Sequence, residues 1–138
     1  MRRKIMIISI VCSAVFSLVC IAYAQDLVQL KIEYGAVCKD VVKRSPVGES
    51  TSFSSDVGKL YCFTTITGAA EPTEVIHVWY YGEQEMARVP LAVKSPRWRT
   101  YSSKLIRPGD TGPWKVVITD RDGNKLEAYH FLIFEGNS

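Results

Sequence analysis

The stretch from Lys94 to Arg107 holds five basic residues and no acid. In an extended chain, Arg97, Arg99, Tyr101 and Ser103 project to one side, and Trp98, Thr100, Ser102 and Lys104 to the other. Two guanidiniums placed two residues apart lie side by side, about 7 Å from one another. Forked donors at that spacing suit bidentate capture of a carboxylate, phosphate or sulfate. A competing reading needs no ligand. Glu71, Glu74, Glu83 and Glu85 form an acidic segment, and cross-strand ion pairs between the two segments would neutralise both.

A second group, His77, Trp79 and Tyr81, falls on one face of an extended run, with Ile76, Val78 and Tyr80 on the other. If the aliphatic face is inside, His77, Trp79 and Tyr81 form an aromatic contact surface for a sugar or a protein partner. If it is outside, Trp79 is the tryptophan of the core. His77 and His130 are the histidines of the chain, and each could serve as a general base. Neither lies in a nucleophile motif, and no G-x-S-x-G occurs. Metal-ligand spacing is lacking too: there is no H-x-x-x-H and no C-x-x-C. Asp120-Arg121-Asp122-Gly123-Asn124 has its glycine at the fourth position and Phe131 at the twelfth, which suits a hairpin turn and not a calcium loop. No motif calls for a cofactor.

Charge and cysteine content place the chain in a compartment. Arg2-Arg3-Lys4 precedes an apolar run from Ile5 to Tyr23 that closes on Ala22-Tyr23-Ala24. These are the three parts of a secretory signal peptide over residues 1–24, removed before Gln25. The alternative is an uncleaved membrane anchor. Cleavage leaves 14 basic against 14 acidic side chains, so the whole net charge of +3 belongs to the leader. A neutral exported domain of 47% hydrophobic composition is neither a nucleic-acid protein nor a disordered chain. It is expected to be periplasmic or secreted, with no transmembrane segment after cleavage. Cys38 and Cys62 then remain, and in an oxidising compartment they are expected to form a disulfide. Such a bridge would stabilise the fold by roughly 3 kcal/mol.

The elements that must position these residues follow from a period of two that runs from Leu27 onward. Leu30–Tyr34, running on toward Cys38 and Val42, then Lys59–Thr67, Glu74–Tyr81, Met86–Val93, Trp98–Ile106, Trp114–Thr119 and Lys125–Phe134 each read as strands between Gly, Pro or Asp-Gly signals. Pro90 inside its run marks an edge strand or a bulge. The spacing predicts an all-β domain over residues 25–138, an antiparallel two-sheet sandwich of about seven strands, immunoglobulin-like, with a small β-barrel as the alternative.

Four motifs in order carry a resemblance: His77-Val78-Trp79-Tyr80-Tyr81, Trp98-Arg99-Thr100-Tyr101-Ser102-Ser103-Lys104, Gly112-Pro113-Trp114-Lys115-Val116, and Asp120 to Leu126. Over Tyr34 to Phe134 the chain resembles the bacterial domain of unknown function 2914. The resemblance implies an exported or envelope-associated domain and lends no reaction, cofactor or catalytic residue. The resulting expectation is a non-catalytic module that binds an anionic glycan or an envelope protein. Arg97, Trp98, Arg99, Tyr101 and Lys104 would supply recognition, with His77, Trp79 and Tyr81 as contact surface. Two alternatives are an envelope hydrolase using a His/Ser site and a structural subunit of an envelope assembly.

Overall fold

Alternating apolar and polar residues become strands in the computed structural model, which describes residues 29–137. The signal peptide expected at residues 1–24 lies outside the described residues. Ten strands follow in chain order: β1 (Lys31–Cys38), β2 (Asp40–Val42), β3 (Ser45–Val47), β4 (Ser52–Ser54), β5 (Lys59–Thr67), β6 (Thr73–Tyr81), β7 (Gln84–Val93), β8 (Arg97–Leu105), β9 (Gly112–Asp120) and β10 (Lys125–Phe134). Seven of them run eight to ten residues, matching the expected count; β2, β3 and β4 are three residues each.

The long strands and β4 form two sheets, β1-β5-β8 and β4-β10-β9-β6-β7, with β4 parallel to β10 and the other pairs antiparallel, and β2-β3 is a separate hairpin. The two sheets do not close into a barrel, so the sandwich expectation holds. β7 is an edge strand, as Pro90 requires: opposite Ile76 of β6 it has no second neighbour that would need its missing N–H. Among the described residues no helix is long and apolar enough to cross a membrane.

The core lies between the sheets. Phe53, Trp79, Trp114 and Phe131 are buried there, with Phe131 at the hub: its ring centroid is 6.0 Å from Trp114, 6.2 Å from Trp79 and 6.1 Å from Phe53. Each such side chain contributes roughly 1.5–3 kcal/mol by leaving water. At the β1 side the ring of Tyr129 lies against the backbone of Gly35, where any Cβ would collide with it. The β2–β3 hairpin turns on Lys43 and Arg44 at φ 50° and 60°. These are left-handed conformations that the two-residue turn requires and that L side chains adopt at a cost.

The expected disulfide is corrected. Cys38 and Cys62 are both free and buried. In the β1–β5 register, Cys62 sits opposite Val37 and Cys38 opposite Tyr61. Directly opposite residues share a face, and neighbours along a strand do not. Cys62 therefore points into the core, and Cys38 to the outside of its sheet.

Candidate functional site

Strand β8 pairs only with β5, with Thr65 opposite Arg99, Phe63 opposite Tyr101 and Cys62 opposite Ser102. Because Cys62 faces the core, Ser102 does too, and Arg97, Arg99 and Tyr101 face outward. All three are exposed, Tyr101 by 48%. Tyr61 of β5 meets Tyr101 edge to face at 5.9 Å, and Lys59 Nζ lies 5.9 Å from the centre of the Tyr61 ring. The outside of the three-stranded sheet thus carries arginines and, further along the same strands, an aromatic pair.

The hairpin adds a third arginine. Its tip lies beside β8, where Arg99 Nη1 donates to the carbonyl of Arg44 at 3.3 Å. Arg44, Arg97 and Arg99 together line two cavities. One, of about 380 Å³, is completed by Ser95 and Trp98. The other, of about 420 Å³, extends over Phe63 and Thr65 to Glu33, Tyr34 and Glu49. Arg97 Nε is paired with Glu33 Oε2 at 3.0 Å, both side chains being half exposed. Such a pair is worth little in water and is readily exchanged. Tyr34 donates its hydroxyl to Glu49, and that hydrogen bond, with some burial and the carboxylate's charge, pushes the phenol up to about 12. Among the described residues neither Arg44 nor Arg99 has a carboxylate partner. Chemically, the cluster offers two unpaired guanidiniums and a third held by an exposed glutamate, an arrangement suited to oxyanions.

The internal neutralisation by Glu71, Glu74, Glu83 and Glu85 is not found. Glu85 pairs with Arg88 at 2.6 Å and Glu83 with Lys115 at 3.1 Å. Glu71 precedes β6, Glu74 lies within it, Glu83 lies in the β6–β7 turn and Glu85 in β7. Those strands belong to the other sheet, and the β8 arginines point away from it.

His77 and Trp79, expected as contact surface, are corrected to core residues, each 0% exposed. They are held in a buried hydrogen-bonded chain between the sheets. Ser102 Oγ lies 3.0 Å from Trp79 Nε1 and 2.7 Å from His77 Nδ1; His77 Nε2 lies 3.1 Å from Thr64 Oγ1, which lies 3.5 Å from the Thr100 carbonyl. One assignment satisfies every group. Trp79 donates to Ser102, Ser102 to Nδ1, Nε2–H to Thr64, and Thr64 to the carbonyl. The imidazole is then neutral, and burial drives its pKa down to about 3. The histidine–serine contact on which the hydrolase alternative depends is therefore present, but Ser102 is only 4% exposed. A substrate has no route to it.

Tyr81 also leaves the expected platform. Its ring packs 5.0 Å from Trp114 and its hydroxyl donates to the Thr111 carbonyl. Trp98 is half-buried and packs against the core, although its edge reaches the smaller arginine cavity. Lys104 turns to the carbonyl of Leu105 at 3.0 Å. In the β9–β10 turn, Asp120 Oδ1 accepts from the N–H groups of Asp122 and Asn124, and Oδ2 from the Asn124 side chain. Those bonds, the Asn124 side chain first, hold its carboxyl below the usual range.

Of the residues that the sequence singles out, Arg97, Arg99 and Tyr101 share the outer face, where Arg44, Glu33, Tyr34 and Tyr61, which it does not single out, lie beside them. Arg44 follows Lys43 in what reads as an interruption between strands, so it gave no periodic signal. The one clue was a run of β5 that is apolar or β-branched on both faces, Tyr61-Cys62-Phe63-Thr64-Thr65. A strand of that kind needs cover on its outer side as well, and the hairpin supplies part of it.

With this geometry in place, comparison with known families supports the resemblance over the C-terminal part of the range expected for it. Residues 72–133 match the family described as protein of unknown function, DUF2914. This segment, a little under half of the chain, is similar to the DUF2914 family. It spans β6 to β10 almost completely, including Arg97, Arg99 and Tyr101, whereas β1, the hairpin and β5 precede the matched residues. Arg44 and Glu33 thus come from outside the DUF2914 match. No curated protein matches the chain.

Proposed function

We propose that the chain is an exported bacterial envelope protein, processed after residue 24, that binds an anionic glycan without catalysis on the outside of its three-stranded sheet. The observation that carries this reading is the convergence of Arg44 with Arg97 and Arg99, far apart in sequence, around shared cavities. Two of those guanidiniums have no carboxylate partner among the described residues. A saccharide fits better than a protein surface because Tyr101 follows Arg99 on the same strand face, about 7 Å further on. A sugar ring can stack there while its carboxylate or sulfate is gripped by the fork of Arg99. The buried His77–Ser102 contact supports binding over hydrolysis. Export rests on the leader read from residues 1–24, and a periplasmic or secreted location follows from it.

The test is retention of the folded domain on immobilised polygalacturonate against a neutral polysaccharide resin. The native protein should be retained at low salt and released by salt. The Arg44→Ala/Arg99→Ala variant should pass through unretarded with its thermal midpoint unchanged. Equal retention of variant and native protein would overturn the assignment.

A further inference from the structure

The cations on this face extend beyond the arginine cluster. In register, Lys31 of β1 lies opposite Thr67, which lies opposite Arg97, so Lys31 and Arg97 mark one end of the sheet's outer face. Lys59 lies opposite Leu105 at the other end. Both lysines are exposed. Between the ends come Arg44 and Arg99 and then the Tyr61–Tyr101 pair. The carboxylates lining this face are engaged, Glu33 with Arg97 and Glu49 with Tyr34. Strand β8 covers about 27 Å from end to end by strand rise.

A single anion would need only the arginine cavities. The hairpin side of this face is covered, with Phe63 and Thr65 buried, and β8 beside it stays exposed. Positive charge at both ends of that exposed strip, separated by an uncharged aromatic step, fits a ligand whose charge repeats along its length. We infer that the ligand is the interior of a linear acidic polysaccharide lying along the exposed outer side of β8, and not a terminal anionic group. The inference rests on the anionic-glycan reading above and specifies its substrate class. The arginine cavity that Ser95 and Trp98 complete would take one charged sugar, the tyrosines the ring that follows it, and Lys59 a further charge downstream.

Calorimetric titration of the folded chain with galacturonic acid and with its hexamer tests this. The hexamer should bind about a hundredfold more tightly than the monosaccharide, since linked contacts act as one multivalent ligand. Lys59→Gln should weaken the hexamer several-fold and leave the monosaccharide unchanged, whereas Arg99→Ala should weaken both. Equal affinities for the two saccharides, or a hexamer indifferent to Lys59→Gln, would overturn the extended track while leaving the arginine site standing. Failure of both saccharides to bind would overturn the glycan reading itself. A single-stranded oligothymidylate binding as tightly as the hexamer would overturn the assignment to a saccharide.

Discussion

A neutral imidazole sealed between two sheets makes the fold sensitive to acid. His77 has an ordinary pKa of 6.5 when unfolded and about 3 in the fold, because burial disfavours its charged form. Between those values the unfolded chain binds a proton that the folded chain refuses. Stability is therefore full above the unfolded value and falls as pH drops from there toward the folded one. By about pH 5 the loss from this group should be about 2 kcal/mol. Urea midpoints measured at about pH 7 and about pH 5 check it, with His77→Gln as the comparison. Glutamine keeps a donor and an acceptor near Ser102 and Thr64 but cannot titrate, so its midpoint should fall less. An equal fall in the two proteins would place the acid sensitivity elsewhere.

At the scale of elements, the β2–β3 hairpin brings the third arginine to β8, and it does so through a turn whose two residues are poorly suited to it. Asparagine, aspartate or glycine commonly fills such positions, because φ above zero is tolerable for them. Lys43 and Arg44 hold that conformation instead. Arg44 has a reason to be there, since it lines both cavities and its carbonyl takes the Arg99 guanidinium. Lys43 lines neither. Lys43→Asn should therefore stabilise the domain by about 0.5–1 kcal/mol while leaving polygalacturonate retention intact. A destabilised variant would show that Lys43 makes a contact the fold depends on.

On the scale of the whole molecule, the sandwich stands without a covalent staple. The core between β1-β5-β8 and β4-β10-β9-β6-β7 contains three ring contacts to Phe131 and a fully satisfied polar chain. Cys38 and Cys62 sit on opposite sides of one sheet, and burial raises both thiols. Protonated, buried thiols react slowly. Both cysteines should resist a thiol reagent in the native protein and label together once it is unfolded in urea. Reductant should leave the thermal midpoint where it is. A native chain with neither thiol available even when unfolded, and a midpoint lowered by reductant, would establish a disulfide after all.

Alternation along the chain is local, so sequence alone determined the strands, the all-β class and the turn at Asp120 to Asn124. It narrowed the Pro90 strand to an edge or a bulge and the domain to a sandwich or a barrel, and strand pairing chose between them. It also determined that Arg97, Arg99 and Tyr101 share a face, because strand parity depends on nothing but spacing. Which face meets the core is a different kind of question, settled by which strands pair and which sheets stack. His77 and Trp79 went inward because theirs is the face of β6 stacked against the other sheet, where they meet Thr64 and Ser102. The β8 arginines escaped Glu71 to Glu85 because β8 joined β5 in the other sheet. Arg44 was beyond reach for the same reason: a residue in a short turn carries no period, and its proximity to Arg99 exists only once the hairpin folds over the sheet. Parity is written in the chain, whereas the partner across a sheet edge or beneath a hairpin is chosen by long-range pairing.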